Sequence, residues 1–317
     1  MSTVAYLNNL RTRPGSGCTV AAALAFVLMV AYVPCNQPAR KVEERAAIAS
    51  PRTPWSLRSA DQSWQWFAYQ TSLVHDAAAY KSGKSSRLVL MGDSITEAWR
   101  GTVYGSPTKR ADGVPDVLNE TLARQWPPRP LALAISGDQT QHVLWRVANG
   151  ELTEAMAADP QLLVSLLIGT NNLGNGHLPE EAHAGVVAVA RLLLERTHGK
   201  LLVNALLPRG DGRSKLPALC PPRCAKGGKP FKSFMPAVRR VNALLAASTA
   251  SLAREFPGRV GYVDCGGPFL VSGAQEGGGD EEVPLELMPD RLHPNAMGYR
   301  LMAQCLGNAL RRLDEGS

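Results

Sequence analysis

The stretch Leu88-Val-Leu-Met-Gly-Asp-Ser-Ile-Thr96 decides the fold. Residues 88 to 91 are a short apolar run closed by Gly92, and such runs suit a strand covered on both faces of a parallel sheet. The pattern recurs downstream. Leu131-Ala-Leu-Ala-Ile135 is closed by Ser136-Gly137, and Leu162-Leu-Val-Ser-Leu-Leu-Ile168 by Gly169. Leu201-Leu-Val-Asn-Ala-Leu-Leu207 and the shorter Val260-Gly-Tyr-Val263 follow. Amphipathic segments alternate with these runs. Pro179 to Arg196 opens with Pro-Glu-Glu, favourable at a helix N-terminus, and sets Val186, Val187, Ala190, Leu193 and Leu194 on one face. Ser233 to Phe256 and Asn295 to Leu313 follow the same logic. This alternation predicts one doubly wound α/β domain, with a parallel sheet of about five strands covered by helices on both faces. Ligands bind such sheets at the carboxyl ends of the strands.

Each of the first three strands ends in polar residues suited to acyl chemistry. Gly92-Asp93-Ser94 places a serine at a strand-to-helix turn, where the hydroxyl projects into the crevice and the helix start favours an oxyanion. Thr96 stands where a nucleophile elbow would have its second glycine, so this is a different turn. Gly137, in Ser136-Gly137-Asp138, can offer an unobstructed backbone N–H. Asn171, in Gly169-Thr170-Asn171-Asn172, can offer a side-chain amide. With the Ser94 N–H these make a three-donor oxyanion hole, in which each donor is worth on the order of 3 kcal/mol. Asp290-Arg-Leu-His293 supplies a base for the serine and a carboxylate to orient it across one turn. Any one cluster is ordinary in loops and caps; all four in order, each at a predicted strand or helix end, are not.

On these residues the chain resembles the SGNH/GDSL hydrolases. More narrowly, Ser136-Gly-Asp-Gln-Thr-Gln-His-Val-Leu-Trp-Arg-Val-Ala-Asn-Gly-Glu-Leu152, Ile168-Gly-Thr-Asn-Asn172 and Leu206-Leu-Pro-Arg-Gly210 are similar to the catalytic subunits of platelet-activating-factor acetylhydrolase. The resemblance spans roughly residues 60 to 313. It implies a three-layer flavodoxin-like fold and a cofactor-free, metal-free acyl-enzyme mechanism. Ser94 would be the nucleophile, Asp290 and His293 its relay, and Ser94, Gly137 and Asn171 the oxyanion hole. It also implies short-chain, above all acetyl, ester substrates and permits a homodimer. Acetylated glycans and lipids both fit. Alternatives are a carbohydrate or phospholipid deacylase with a larger substrate, acyl transfer to an alcohol, and a catalytically silent interaction protein. Departures from the family pattern are Ala132 and Ala134, Asn172 for an aspartate, and long segments at Trp99 to Pro130 and around Cys220 and Cys224.

Composition narrows the rest. The 317 residues are 45% apolar, 19% charged and 6% aromatic, which is ordinary globular usage. The net charge of +7 is spread thinly over residues such as Arg110, Arg124, Arg191 and Arg300, without the basic face or module of a nucleic-acid binder. Cys220 and Cys224 have no second pair and no nearby His to complete a zinc site, leaving a loop disulfide or two thiols. Trp145 and Arg146 read as packing and surface pairing, and His142, His177, His183 and His198 as structural or solvent-exposed. Residues 1–17 form a basic tail bearing Arg11 and Arg13. Residues 18–35 form an apolar run that reads as a signal-anchor or signal peptide, and residues 36–58 a polar linker too Pro- and charge-rich to bury. Residues 59–317 form the hydrolase domain. The expected place is therefore the secretory pathway, membrane-anchored or secreted, although an organellar transit peptide shares the acid-free, Arg-bearing start. The sequon Asn119-Glu-Thr121 fits secretion.

Overall fold

The computed structural model describes residues 45–52, 60–271 and 283–316. The apolar run 18–35 and the basic tail lie outside them. Among the described residues no helix is long and apolar enough to cross a membrane.

Five parallel strands form the sheet: β1 (Leu88–Gly92), β2 (Leu131–Ala134), β3 (Leu163–Leu167), β4 (Lys200–Asn204) and β5 (Val260–Val263). Their spatial order is β2-β1-β3-β4-β5, so the direction of winding reverses between β1 and β3. That reversal opens a crevice at the carboxyl ends of those two strands. The register aligns Gly92 with Ala134 on one side and Leu167 on the other, bringing three strand ends level.

Side-chain alternation builds the layers. Val89, Met91, Leu133, Val164, Leu166, Leu201 and Val203 point to one face. There they meet α1 (Ala60–Ala78), α2 (Thr140–Arg146), α3 (Pro179–Arg196) and α4 (Met235–Glu255), whose Leu73, Val143, Val189 and Val241 are buried. Leu88, Leu90, Ala132, Leu163 and Leu202 point the other way, against Tyr299, Met302, Leu306 and Leu310 of α5 (Ala296–Glu315) and against Val114 and Leu118 of the short helix Val114–Glu120. This is the three-layer α/β arrangement expected from the alternating runs. The long apolar stretches 162–168 and 201–207 overshoot their strands, because the final residues turn into loops at the crevice.

Residues 45–52 depart from expectation. Composition predicts an exposed linker, yet Ala46, Ser50 and Arg52 are buried against the domain. Ser50 N–H donates to Gln141 O at 3.1 Å and the Thr140 hydroxyl to Ala46 O at 2.7 Å, so this irregular strap is tied by its backbone to the start of α2. The loop around 209–232 is also more ordered than its lack of periodicity suggests. It contains helical turns at Gly212–Lys215 and Leu216–Leu219, and Cys220 and Cys224 are bridged. A second disulfide, Cys265–Cys305, ties the loop after β5 to α5.

Candidate active site

Ser94 follows β1 directly and opens a helix of four residues, Ser94–Glu97. A side chain on Gly92 would stand 2.3 Å from both Leu167 O and Thr96 Oγ1, so only glycine lets β1 turn this tightly against β3. The helix is too short to lend a substantial dipole, and its N-cap Asp93 already receives the Ile95 N–H at 3.0 Å.

Asp290 and His293 lie across the crevice, just before α5. The Asp290 Oδ1 accepts the backbone N–H of Leu292 at 3.0 Å and of His293 at 2.7 Å, fixing the turn. Its Oδ2 meets His293 Nδ1 at 2.6 Å, while His293 Nε2 lies 2.9 Å from the Ser94 hydroxyl. The carboxylate orients the ring so that Nδ1 donates and Nε2 is left as the acceptor facing the serine. Burial pushes the Asp290 carboxyl up, but the hydrogen bond and charge of His293, with the two backbone donors, outweigh it and hold the group at about 2. Burial lowers the His293 imidazole below its ordinary value, against the opposing pull of Asp290. A neutral imidazole on a serine hydroxyl can take the proton as that oxygen attacks an electrophile.

Gly137 occupies the turn after β2 with φ +80°, a conformation that excludes most side chains. Asn171 lies in the short helix Thr170–Gly174 after β3. Its Nδ2 donates to Asp138 O at 2.9 Å and, more loosely, to Asp93 Oδ2 at 3.3 Å. Asn171 thus ties together the polar ends of β1, β2 and β3. Asp93 is fully buried, and that burial raises its carboxyl to about 7.

Beneath this layer runs a charged network that sequence reasoning missed. Arg146, expected at the surface, is 1% exposed. It donates to Asp138 Oδ2 at 2.7 Å and to Gly92 O at 3.1 Å, and forms an ion pair with Glu151. Trp66 Nε1 also donates to Asp138, at 2.7 Å. Glu97 is buried and accepts both the N–H and the hydroxyl of Ser136, at 2.7 and 2.6 Å. Arg52, from the strap, donates to Ser136 O and to the Tyr104 hydroxyl, each at 2.8 Å, and its Nη2 would be 2.5 Å from a Cβ on Gly137. The turn bearing Gly137 is therefore clamped from two sides. Of the histidines set aside, His142 and His177 are buried and His198 is exposed. His142 Nδ1 accepts the Gln139 N–H at 3.0 Å, a structural role at the start of α2. Among the described residues no group of three or more His, Cys, Asp or Glu side chains is arranged to hold a metal ion.

Residues 90–301 match the family model of the GDSL-like lipase/acylhydrolase family. Platelet-activating factor acetylhydrolase IB subunit alpha1 of Bos taurus is 28% identical over 266 residues, which cover 84% of this chain and 90% of the relative. The alpha2 subunit of Rattus norvegicus is 32% identical over 190 residues, covering 60% and 67% of the two chains. A solved chain from Streptococcus pneumonia, provisionally named for platelet activating factor, aligns over 82% of this chain and 100% of its own, with a TM-score of 0.50 at 17% identity.

Proposed function

The chain belongs to the GDSL-like lipase/acylhydrolase family and is a carboxylic ester hydrolase; from that premise we propose a serine esterase of short acyl chains, acetyl foremost, working through an acyl-enzyme on Ser94. The observation that carries this reading is the continuous chain from Ser94 Oγ to His293 Nε2 at 2.9 Å and from His293 Nδ1 to Asp290 at 2.6 Å. Ser94 attacks the ester carbonyl as His293 takes its proton, and Asp290 stabilises the imidazolium. The tetrahedral oxyanion is received by the N–H groups of Ser94 and Gly137 and by Asn171 Nδ2, whose loose 3.3 Å bond to Asp93 is the one most easily given up. His293 then protonates the departing alcohol, and a water molecule activated by the same imidazole releases the acid.

The acetyl preference rests on likeness to the acetylhydrolase subunits. The disulfides Cys220–Cys224 and Cys265–Cys305 support an oxidising compartment, in line with a secretory route for a chain with an apolar run at 18–35. The test is turnover of p-nitrophenyl acetate, butyrate and palmitate by the full chain and by Ser94→Ala. The expected result is a kcat/KM for acetate at least about tenfold above that for palmitate, with kcat lowered about 10³-fold or more in the variant. Palmitate selectivity would refute the short-acyl reading, and full activity of Ser94→Ala the nucleophile.

A further inference from the structure

Ile135 to Asp138 form a turn closed by the Asp138 N–H, which donates to Ile135 O at 3.1 Å. Its third residue, Gly137, has φ +80° while Ser136 stays out of the left-handed region, which is the type II pattern. Type I differs from type II by a flip of the central peptide, here the one joining Ser136 to Gly137. Glycine accepts both conformations, so its own preference does not decide between them. The choice matters because that peptide carries the Gly137 N–H, and a flip would turn this donor away from the crevice.

The bonds around the turn act on different peptides. Glu97 takes the Ser136 N–H and hydroxyl at 2.7 and 2.6 Å, which fixes the preceding peptide. The Asn171 amide holds Asp138 O at 2.9 Å, beyond the turn's centre. Arg52 reaches the central peptide, its Nη1 donating to Ser136 O at 2.8 Å. In a trans peptide the C=O and the N–H point in opposite directions, so fixing Ser136 O also fixes the Gly137 N–H. A charged donor on the carbonyl polarises the peptide as well, making its N–H the stronger donor. The second hydrogen of Nη1 goes to the Tyr104 hydroxyl at 2.8 Å. Tyr104 lies in the short hairpin whose Thr102 hydroxyl and Gly105 N–H both donate to Glu97 Oε1, each at 3.0 Å. Ser136, Glu97, the hairpin, Tyr104 and Arg52 thus form one hydrogen-bonded circuit around the peptide. The strap delivers Arg52 to it, and docks so closely that a Cβ on Gly185 of α3 would stand 2.6 Å from Ala46 O.

We propose that Arg52 is a positioning residue for ester hydrolysis, locking the Ser136–Gly137 peptide with its N–H toward the carbonyl that Ser94 attacks. The inference rests on the reading of Gly137 as an oxyanion donor given above. Without the guanidinium the turn samples both types, and only one of them stabilises the oxyanion. That donor acts mainly in the transition state, so the loss falls on kcat and leaves ground-state binding unchanged.

The experiment compares the full chain with Arg52→Met, Arg52→Lys and Asn171→Ala in p-nitrophenyl acetate hydrolysis and in inhibition by two ketones. Phenethyl trifluoromethyl ketone adds the Ser94 oxygen to its carbonyl carbon, the serine proton passing to His293, and so leaves an oxyanion in the hole. Phenethyl methyl ketone binds as a ground-state mimic. The expected result for Arg52→Met is a kcat about tenfold or more lower and a trifluoromethyl ketone Ki raised by a similar factor, with KM and the methyl ketone Ki within about twofold. Arg52→Lys, which keeps a charged donor, recovers part of both. Should Arg52→Met fail to fold, judged by circular dichroism, Arg52→Gln is held to the same criterion. Unchanged kcat and trifluoromethyl ketone affinity overturn the proposal, as does a loss that falls on KM and on both ketones alike. Asn171→Ala separates the two readings. If it shows the split and the Arg52 variants do not, this proposal alone fails; if it does not, the oxyanion hole itself is misassigned.

Discussion

The basicity of His293 is set by opposing influences within one turn of chain. Burial and the Arg110 charge lower its pKa, while the hydrogen bond and charge of Asp290 raise it. The net direction is below the ordinary 6.5, so the imidazole is neutral, and able to accept the Ser94 proton, through neutral pH and somewhat into the acid range. As pH falls, kcat/KM should drop along a single limb centred below 6.5, where His293 becomes protonated. Asp290→Asn removes the groups that raise the pKa, so the limb should move to lower pH while kcat falls by about 10⁴, as the ring loses its orientation. A profile of p-nitrophenyl acetate hydrolysis between about pH 4 and 8 reads both. An acid limb centred above the ordinary value would contradict this account of the dyad.

At the scale of elements, the strand ends are held by a layer of charge below the crevice. Arg146 joins α2 to the end of β1 through Gly92 O, and to Asp138 in the turn after β2. Arg146→Met leaves Glu151 buried without its cation and Asp138 with only Arg52, at 4.0 Å. That should cost about 3–5 kcal/mol in urea unfolding, and a loss below about 1 kcal/mol would show the network to be dispensable. Nothing in the local sequence announces this residue. Its partners are eight residues before and five after, outside the i,i+4 spacing that marks helix ion pairs, so Leu-Trp-Arg-Val reads as a surface charge beside an apolar pair. The strap at 45–52 was illegible for a related reason. Its attachment runs through backbone groups of Ser50 and Ala46 and the single side chain of Arg52, which leave no periodic pattern along the strap. By contrast, Gly92, Gly137 and Asn171 could be read directly, because each follows an apolar run at the strand end where the fold gathers ligands.

For the whole molecule, continuous apolar runs were enough to establish a parallel sheet with two covered faces, and α3 begins and ends at the residues its periodicity indicates. What the runs cannot encode is contact between distant segments. Cys265 and Cys305 are 40 residues apart and carry no mutual spacing signal, yet the return of α5 along the sheet brings them together. The same return places His293 on Ser94, 199 residues earlier in the chain. That juxtaposition is the central claim, and it makes Ser94 the one serine hydroxyl expected to react as an activated nucleophile. Labelling the full chain with a fluorophosphonate and mapping the adduct by mass spectrometry tests it most directly. The account predicts a single phosphonylated peptide containing Ser94, absent when His293→Ala or Ser94→Ala is labelled under the same conditions. A folded chain that takes no label, or takes it at another serine, would contradict it.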